Sequence, residues 1–220
     1  EASYFLIVDK KHFLFIGSAQ DHKCVGEDET GPNTGGMGAY SPAPIINKSL
    51  EKKIIKKIIK PTLLALKKKG HPYTGFLYAG LMIKNHEPYL IEYNVRMGDP
   101  ECQVIMPRLQ TDLVQLLKAS VDNRLNKFTI KWSKEKCMAT VLCSKGYPNK
   151  YITNKKINLN HISLSKKSFI FHAGTIKKNG FFLSKGGRVL NIVTLGSSFL
   201  KIKNKIFKII KIINWKHGFF

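Results

Sequence analysis

Short runs of apolar residues, separated by polar turns, occur in pairs along the first half of the chain. Residues 3–8 and 13–16 form one pair, and the polar segment 9–12 between them indicates a hairpin. Residues 75–83 and 89–95 form a second pair, separated by a polar turn that ends in proline. The pattern therefore predicts an antiparallel sheet in this part of the protein.

Three longer segments carry a helical period instead. In residues 48–69 the apolar side chains recur every three or four positions, and Gly70 closes the run. Pro61 is expected to kink or divide this helix. A second helix is predicted for residues 111–125, where a Thr-Asp pair can cap its first turn, and a third for residues 197–213.

The remaining stretches define the predicted domains. Residues 20–44 contain five glycines and three prolines and are interpreted as a long functional loop. The polar segment 126–135 is interpreted as a boundary, and the strands predicted beyond it are 137–143, 169–172 and 188–195. We therefore expect an α+β (α/β) fold: an antiparallel sheet with helices over 1–126, then a small mixed α/β domain over 134–220.

Composition narrows the classes of function. The chain is 43% apolar and has no run of eighteen apolar residues, so a core is expected and a membrane span is not. Its net charge of +23 suggests nucleic-acid binding, but only four of the 37 cations are Arg, the residue that nucleic-acid readers favour. Lys accompanies abundant Ile and Asn, whose codons are A/T-rich, so genome composition is a sufficient explanation. We predict no specific nucleic-acid partner.

The strongest chemical signal lies in the strand predicted for 89–95. Alternate residues of a strand share a face, so Glu92, Asn94 and Arg96 are expected to project together, successive ones about 7 Å apart. A carboxylate and an amide oxygen side by side suit Mg²⁺, and a guanidinium suits phosphate. The alternative is a solvated polar face on an edge strand, and alternation alone does not decide between the two.

A turn that follows this strand adds further acidic groups. Gly98 permits a tight turn, and Asp99-Pro100-Glu101 places two more carboxylates beside the strand end. An ordinary acidic turn that caps the next element is the structural alternative. Acids are scarce in this chain, with only 14, so their clustering near Glu92 favours function.

The second signal is glycine-rich. Gln20-Asp21-His22-Lys23 is followed by residues 30–42, which include Asn33, Thr34, Gly35, Gly36 and Gly38. Glycines let backbone N–H groups approach an anion, and Lys23 could neutralise a phosphate. The spacing fits neither the Walker P-loop nor the dinucleotide-binding fingerprint.

A third signal, in the second predicted domain, is weaker. Gly186-Gly187 is expected to form a hairpin turn, Arg188 to lie on a strand surface, and His172 to be a structural histidine. The sequence contains no recognisable Ser/His/Asp arrangement for nucleophilic catalysis. The four cysteines include no Cys-x-x-Cys pair, which disfavours a zinc site or a disulfide framework.

Together these residues resemble the glycinamide ribonucleotide synthetases (phosphoribosylamine–glycine ligases), ATP-grasp enzymes of purine biosynthesis. The resemblance covers essentially the whole chain. Its most specific parts are the Gly-Pro-Asn-Thr-Gly-Gly-Met-Gly run of 31–38 and the Glu-x-Asn-x-Arg strand joined to Gly-Asp-Pro-Glu. It also includes 1–3, 20–23, 73–82, 171–175 and 186–190.

The resemblance implies an ATP-grasp carbon–nitrogen ligase that joins glycine to 5-phosphoribosylamine through a glycyl phosphate, giving glycinamide ribonucleotide, ADP and phosphate. It implies ATP and Mg²⁺ (or Mn²⁺), with Glu92 and Asn94 as metal ligands and Lys23 and Arg96 as catalytic residues. The implied substrate- or phosphate-binding residues are Gln20, Asp21, Asn33, Thr34, Gly35, Gly36, Gly38, Asp99, Pro100 and Glu101.

The resemblance also implies a cytoplasmic protein, monomeric when complete, whose partners are these small molecules. The expected fold is the carboxy-terminal part of an ATP-grasp domain followed by the family's C-terminal domain. The chain is expected to be a fragment that lacks the amino-terminal part and does not turn over alone. Two alternatives remain: a basic RNA- or DNA-binding module, and another ATP-grasp ligase such as a carboxylase.

Overall fold

The computed structural model describes all 220 residues, which form two compact units. Unit 1 comprises Glu1–Gln20 and Ser41–Ser133, and unit 2 comprises Asp21–Tyr40 and Lys134–Phe220. The strands are β1 (Ala2–Val8), β2 (Phe13–Cys24), β3 (Asn33–Ser41), β4 (Gly75–Lys84), β5 (Glu87–Asn94), β6 (Lys136–Ser144), β7 (Lys156–Ile157), β8 (Ser168–His172), β9 (Thr175–Lys178), β10 (Phe181–Ser184), β11 (Arg188–Gly196) and β12 (Gly218–Phe219). The α-helices are α1 (Lys48–Ile54), α2 (Lys60–Lys68), α3 (Glu101–Ile105), α4 (Leu113–Val121) and α5 (Phe199–Ile213).

Unit 1 is built on antiparallel strands in the order β5-β4-β1-β2. Every residue of β1 is buried, because both faces of this central strand are covered. Tyr4, Leu6 and Val8 point into a core that also contains residues of α1 and β4. α4 packs against β1 and β4, and Ser120 donates a hydrogen bond to the Val8 carbonyl at 2.6 Å.

The long first helix changes its hydrogen-bond pattern just before Pro61, where a kink or division was predicted. The side chain of Asn47 caps α1 by accepting from the Leu50 N–H at 2.9 Å. The π-helical turn Ile55–Ile59 joins α1 to α2, and Pro61 lies in the first turn of α2. The helix runs without interruption into α2, because Ile59 and Lys60 are both helical and the Lys60 N–H bonds to the Ile55 carbonyl. Pro61 has no N–H to continue the i→i−4 pattern, and the π-helical turn just before it marks that irregularity.

The prediction of a loop over 20–44 is wrong. β2 continues to Cys24 and β3 begins at Asn33, so only residues 25–32 connect them. Glycine-rich sequence is typical of loops, but here the absence of a side chain allows strands to approach closely. A Cβ on Gly38 would lie 2.7 Å from the Ala139 carbonyl oxygen of β6.

Unit 2 contains the strand order β3-β6-β11-β8, with β12 paired to β6, and a separate three-stranded sheet in the order β7-β10-β9. α5 packs on β6 and β11 through one apolar face that includes Ile202, Ile206 and Ile210, and Ser198 caps it. These elements confirm the predicted strands and closing helix. Gly186-Gly187 is not a hairpin turn, because β10 and β11 pair with different strands.

The sheets and helices confirm the predicted mixed fold class. The domains predicted from the sequence, 1–126 and 134–220, remain a prediction. The two compact units of the structure divide the chain differently. The segment Asp21–Tyr40 belongs to the same unit as the second half of the chain. None of the helices combines the length and the apolar character that crossing a membrane requires.

Candidate functional site

Glu92 and Asn94 project from the same face of β5, as alternation predicts. In the register with β4, Glu92 lies opposite Gly80 and Asn94 opposite Tyr78. The Asn94 side-chain amide donates a hydrogen bond to Glu92 Oε1 at 3.0 Å. Tyr93, between them, faces the other way into the core, and its hydroxyl lies 2.7 Å from Thr62 Oγ1.

Gly80, on the neighbouring strand β4, lies directly beside the side chain of Glu92. A Cβ at this position would lie 3.1 Å from Glu92 Cγ and 3.2 Å from the Tyr78 hydroxyl. The side chain of Glu92 therefore lies across the backbone of the neighbouring strand, and the absence of a side chain at Gly80 makes room for it. Gly80 and Tyr78 were not among the predicted site residues, because only the register between β4 and β5 brings them to Glu92.

Arg96 lies beyond the strand that was expected to contain it. β5 ends at Asn94, and the Arg96 guanidinium donates from Nη1 to the Met97 carbonyl at 3.0 Å. The prediction that Arg96 shares a strand face with Glu92 and Asn94 is therefore wrong. Its side chain is exposed, so its position depends on the turn and not on sheet alternation.

The two carboxylates of the following turn have different environments. Glu101 is only 4% exposed, and its Oε1 accepts a hydrogen bond from Ser3 Oγ at 3.1 Å. The Ser3 hydroxyl also lies 3.3 Å from the Tyr78 hydroxyl. A Cβ on Gly98 would clash with the Glu101 carboxylate. Glu101 is therefore an internal anchor that ties the turn to β1, and it is not presented beside the strand as expected.

Asp99 is exposed, and its Oδ1 accepts from Gln103 Nε2 at 2.7 Å. Pro100 precedes the first residue of α3 and is buried. Gln20, also in unit 1, donates from Nε2 to the carbonyl of Glu1 at 3.1 Å. Of these predicted substrate-facing groups, Asp99 presents a carboxylate to solvent.

The predicted residues of unit 2 lie on β2 and β3. Lys23 Nζ lies 4.0 Å from Asp21 Oδ2, and 39% of its side chain is exposed, so the ammonium group remains accessible. Asn33 Oδ1 accepts from the Cys24 thiol at 3.4 Å. The Thr34 hydroxyl donates to the Lys23 carbonyl at 2.8 Å, which ties the two strands together.

The backbone amides of the glycine-rich strand are already engaged within the protein. The Gly35 N–H donates to the Tyr147 hydroxyl at 3.0 Å, and the Gly36 N–H donates to Thr34 Oγ1 at 3.0 Å. The Gly35 carbonyl accepts from Arg188 Nη1 at 2.7 Å. The expected row of free N–H groups is therefore not present at Gly35 and Gly36.

Arg188 and Tyr147 are the residues that unit 2 adds to the predicted set. A Cβ on Gly35 would lie 3.0 Å from the Arg188 guanidinium carbon, so the guanidinium packs on the backbone of β3. Arg188 also lowers the pKa of the Cys143 thiol, but burial outweighs this effect and raises that pKa to about 12. Cys143 is therefore a protonated core residue and not a nucleophile.

His172 is exposed, and its ring has partners within the protein. Its Nδ1 lies 3.0 Å from Thr175 Oγ1, and its ring lies 4.4 Å from that of Phe182. Partial burial of the ring lowers the pKa of His172, so the neutral form predominates at pH 7.

Glu92 and Asn94 fit a hard divalent cation. With the Asn94 amide nitrogen directed to Glu92 Oε1, the amide oxygen and the second carboxylate oxygen remain available. Two oxygen ligands on one strand face suit Mg²⁺ or Mn²⁺, which take phosphate oxygens and waters as their other ligands. No group of three or more His, Cys, Asp or Glu side chains could hold a metal ion. A metal bound here would therefore depend on a ligand such as nucleotide phosphate.

Comparison with known proteins identifies the family. The family model of the phosphoribosylglycinamide synthetase ATP-grasp (A) domain matches residues 1–102, and that of the C domain matches residues 137–220. The phosphoribosylamine–glycine ligase of Vigna unguiculata is 46% identical over 224 residues, covering 100% of this chain and 72% of the plant protein. The chain belongs to the phosphoribosylamine–glycine ligase family.

Bacterial members of the family are similarly close but longer. The ligase of Agrobacterium fabrum is 44% identical over 220 residues, which are 100% of this chain and 52% of that protein. The chain thus spans about half the length of this relative. The crystal structure of the family member from Thermotoga maritima superposes with a TM-score of 0.85 at 29% identity, covering 99% of this chain and 54% of the other.

More distant structures share the fold. The biotin carboxylase domain of a thermophilic 2-oxoglutarate carboxylase has a TM-score of 0.68 at 12% identity, covering 97% of this chain and 46% of that domain. At this identity the likeness concerns architecture alone. The family and these neighbours confirm the ATP-grasp fold that the sequence resemblance implied.

Proposed function

We propose that this chain is part of an ATP-dependent ligase that joins glycine to 5-phosphoribosylamine, giving glycinamide ribonucleotide, ADP and phosphate. The observation that supports this most strongly is the match of the whole chain, at 42–46% identity, to proteins named phosphoribosylamine–glycine ligase. The reaction belongs to de novo purine biosynthesis. Its partners would be these small molecules, in the cytoplasm, without a specific nucleic acid and with the complete protein as a monomer.

The proposed reaction has two steps. A glycine carboxylate oxygen takes the γ-phosphoryl group of ATP, and the bond to the departing ADP oxygen breaks. The amine nitrogen of 5-phosphoribosylamine then attacks the glycyl carbonyl carbon, loses a proton and displaces phosphate. Neither step needs a covalent enzyme nucleophile, which agrees with a chain whose buried Cys143 is protonated. Positioning and charge neutralisation would supply the catalysis.

Glu92 and Asn94 would hold Mg²⁺ or Mn²⁺ in this proposal, and Gly80 would set the position of the Glu92 side chain. When bound, the ion would neutralise charge on the phosphate oxygens. Glu101 supports the same region from inside, because its bond to Ser3 ties the 98–101 turn to β1. We therefore propose that Glu101 acts as a positioning residue, that Asp99 faces the substrates, and that the buried Pro100 contributes by fixing the turn that presents Asp99.

Lys23 and Arg96 are proposed to stabilise negative charge on the reacting groups. The Lys23 side chain is 39% exposed, and its ammonium group lies 4.0 Å from the Asp21 carboxylate. Arg96 is exposed, and its Nη1 donates a hydrogen bond to the Met97 carbonyl. The remaining proposed substrate- or phosphate-binding residues are Gln20, Asp21, Asn33, Thr34, Gly35, Gly36 and Gly38. Gly35 and Gly36 would act by letting a substrate approach the strand backbone, since their N–H groups already bond within the protein.

The proposed function is tested by ADP formation from ATP in the presence of glycine and 5-phosphoribosylamine. The assay is run on the 220-residue chain and on the longest protein that its gene encodes. Release of ADP that requires both substrates and a divalent cation supports the proposal. ADP release that requires bicarbonate or another carboxylate instead of glycine would establish a different ATP-grasp ligase.

The metal assignment is tested in whichever protein is active. Glu92→Gln keeps the size of the side chain but removes its charge, so it should lower turnover at least about ten-fold without altering the circular dichroism spectrum. Glu87→Gln is the matched control, because Glu87 lies on the same strand and pairs with Lys53 and Lys57. Near wild-type turnover in Glu92→Gln would show that this carboxylate does not hold the metal.

A further inference from the structure

A cavity in unit 1 lies away from Glu92 and Asn94 and has no role in the proposed reaction. It has a volume of about 230 Å³ and lies between the turn that joins β1 to β2 (residues 8–13) and helix α2, with Tyr73 at its side. We refer to it as the turn pocket. Along β1, the pocket residue Val8 is five positions from Ser3, which is registered with Gly80. That is about 17 Å at the rise of an extended strand.

The turn pocket has a strongly basic lining. Four lysines contribute to it: Lys10, Lys11, Lys60 and Lys67. None of them forms an ion pair. Lys53 and Lys57, in the preceding helical turns, contrast with them because both bind Glu87. The positive charge at the turn pocket is therefore free to act on a ligand.

The one acid in the lining, Asp9, is occupied by the protein itself. Its side chain is fully buried, and its carboxylate accepts from the N–H groups of Lys11 at 2.8 Å, His12 at 2.6 Å and Leu125 at 3.0 Å. His12 Nδ1 lies 3.2 Å from the same carboxylate. These bonds fix the turn, so Asp9 shapes the wall of the pocket and does not provide ion pairs for its lysines.

Apart from His12, the rest of the lining is apolar or aromatic. Leu63 and Leu64 come from α2, and Phe13 and Tyr73 complete the wall. Leu64 is 56% exposed, which leaves part of its surface available to a ligand. Tyr73 is held in place because its hydroxyl donates to the Phe76 carbonyl at 2.5 Å. The pocket thus combines fixed apolar walls with unpaired cations.

We propose that the turn pocket binds a small anion that carries a single ring or a short apolar group, with a phosphate or carboxylate directed to the lysines. The volume sets the size of the ligand, because it is below the ~300–1,000 Å³ typical of pockets for drug-sized molecules. An apolar body is required to use the Leu63, Leu64 and Tyr73 walls. An anionic group would complement the positive charge of the four lysines.

The test uses phenyl phosphate, inorganic phosphate and phenol as probes of the 220-residue chain, with binding followed by ¹H–¹⁵N NMR. Phenyl phosphate should bind at least about ten-fold more tightly than either of the others, because only it uses both the charge and the apolar walls. The amide signals that shift should include those of Lys11, His12 and Leu64.

Variants separate this site from the general attraction of a chain with a net charge of +23 for anions. The double substitution Lys60→Gln, Lys67→Gln should weaken the binding of phenyl phosphate about five- to ten-fold. The control, Lys52→Gln with Lys56→Gln, removes the same charge from exposed positions of the same helical segment outside the pocket and should change binding less than two-fold.

Three results would overturn the proposal. One is equal weakening in both double variants, which would indicate non-specific attraction. A second is equal affinity for inorganic phosphate and phenyl phosphate. The third is a set of shifted amides outside the turn pocket. Circular dichroism of both variants checks that they are folded, and a Lys60→Arg, Lys67→Arg variant, which keeps the charge, should bind phenyl phosphate like the unmodified chain.

Discussion

Replacing Gly80 by alanine should separate metal binding from stability. The new methyl group would lie 3.1 Å from Glu92 Cγ and 3.2 Å from the Tyr78 hydroxyl. Tyr78 is only 5% exposed and cannot retreat, whereas Glu92 is exposed and can rotate. We therefore expect the Glu92 side chain to move and its carboxylate to leave the position beside Asn94.

The two effects differ in size. Alanine is more favourable than glycine within a strand by about 0.5–1 kcal/mol. Rotating Glu92 away from its preferred conformer costs about 0.5–1.5 kcal/mol, so the free energy of unfolding should change by less than about 1 kcal/mol. Displacing a group that orients a metal ligand typically lowers affinity about 10–100-fold. Gly80→Ala should therefore bind Mn²⁺ with ADP at least about ten-fold more weakly.

Paramagnetic broadening of the Glu92 and Asn94 amide signals by Mn²⁺ and ADP measures this affinity in the 220-residue chain. Urea unfolding followed by circular dichroism measures stability. Met82→Ala is the control, since Met82 is 41% exposed and lies opposite Tyr89 on the same two strands. Unchanged Mn²⁺ affinity in a folded Gly80→Ala chain would refute the role of Gly80, as would a loss of more than 3 kcal/mol in stability.

Two further predictions concern the packing that supports these regions. Burial acts to raise the pKa of Asp9, but hydrogen bonds from the N–H groups of Lys11, Leu125 and His12 outweigh it and lower that pKa. The stabilisation by Asp9 is therefore complete above the unfolded value of about 3.9 and is lost as the pH falls through the lower folded value. Asp9→Asn should lower the free energy of unfolding by about 1–3 kcal/mol at pH 7, and urea titrations should show this deficit shrinking below about pH 4; a deficit independent of pH would contradict the reasoning. Gly35→Ala should lower stability by about 1 kcal/mol because its methyl group would meet the Arg188 guanidinium, and most of that loss should disappear in an Arg188→Ala background. Additive losses in this thermal-unfolding cycle would show that the two residues do not interact.

Some structural features could be predicted from the sequence because the interactions that produce them involve residues close together along the chain. Alternation along β5 places Glu92 and Asn94 on one face and Tyr93 on the other, whatever surrounds the strand. The spacing of apolar residues predicted α5, and the structure adds that the Ser198 side chain caps it. Motifs that are contiguous in sequence also carried the family resemblance, which the comparisons confirmed over the whole chain.

Two of the predictions that the structure contradicts have a common cause: in each case a distant part of the chain sets the environment of the residues. The 20–44 segment looked like a loop because glycine and proline favour turns in isolation, yet a neighbouring strand, β6, stabilises residues 33–41 as a strand. Glu101 looked like a substrate-facing acid because acids are scarce in this chain and it lies close in sequence to Asp99 and Glu92. Its burial depends on Ser3, which is 98 positions away in the chain.

The sequence by itself thus determined the family, the main elements and the shared face of Glu92 and Asn94 on β5, because each depends on residues close together along the chain. Only the tertiary structure decided what surrounds them. The contact between Gly80 and the side chain of Glu92 depends on the register of two strands. The contact of Gly35 with Arg188 joins residues 153 positions apart. The turn pocket likewise exists only because folding brings the β1–β2 turn to α2. Such contacts are set by the packing of elements against one another, which no local pattern specifies.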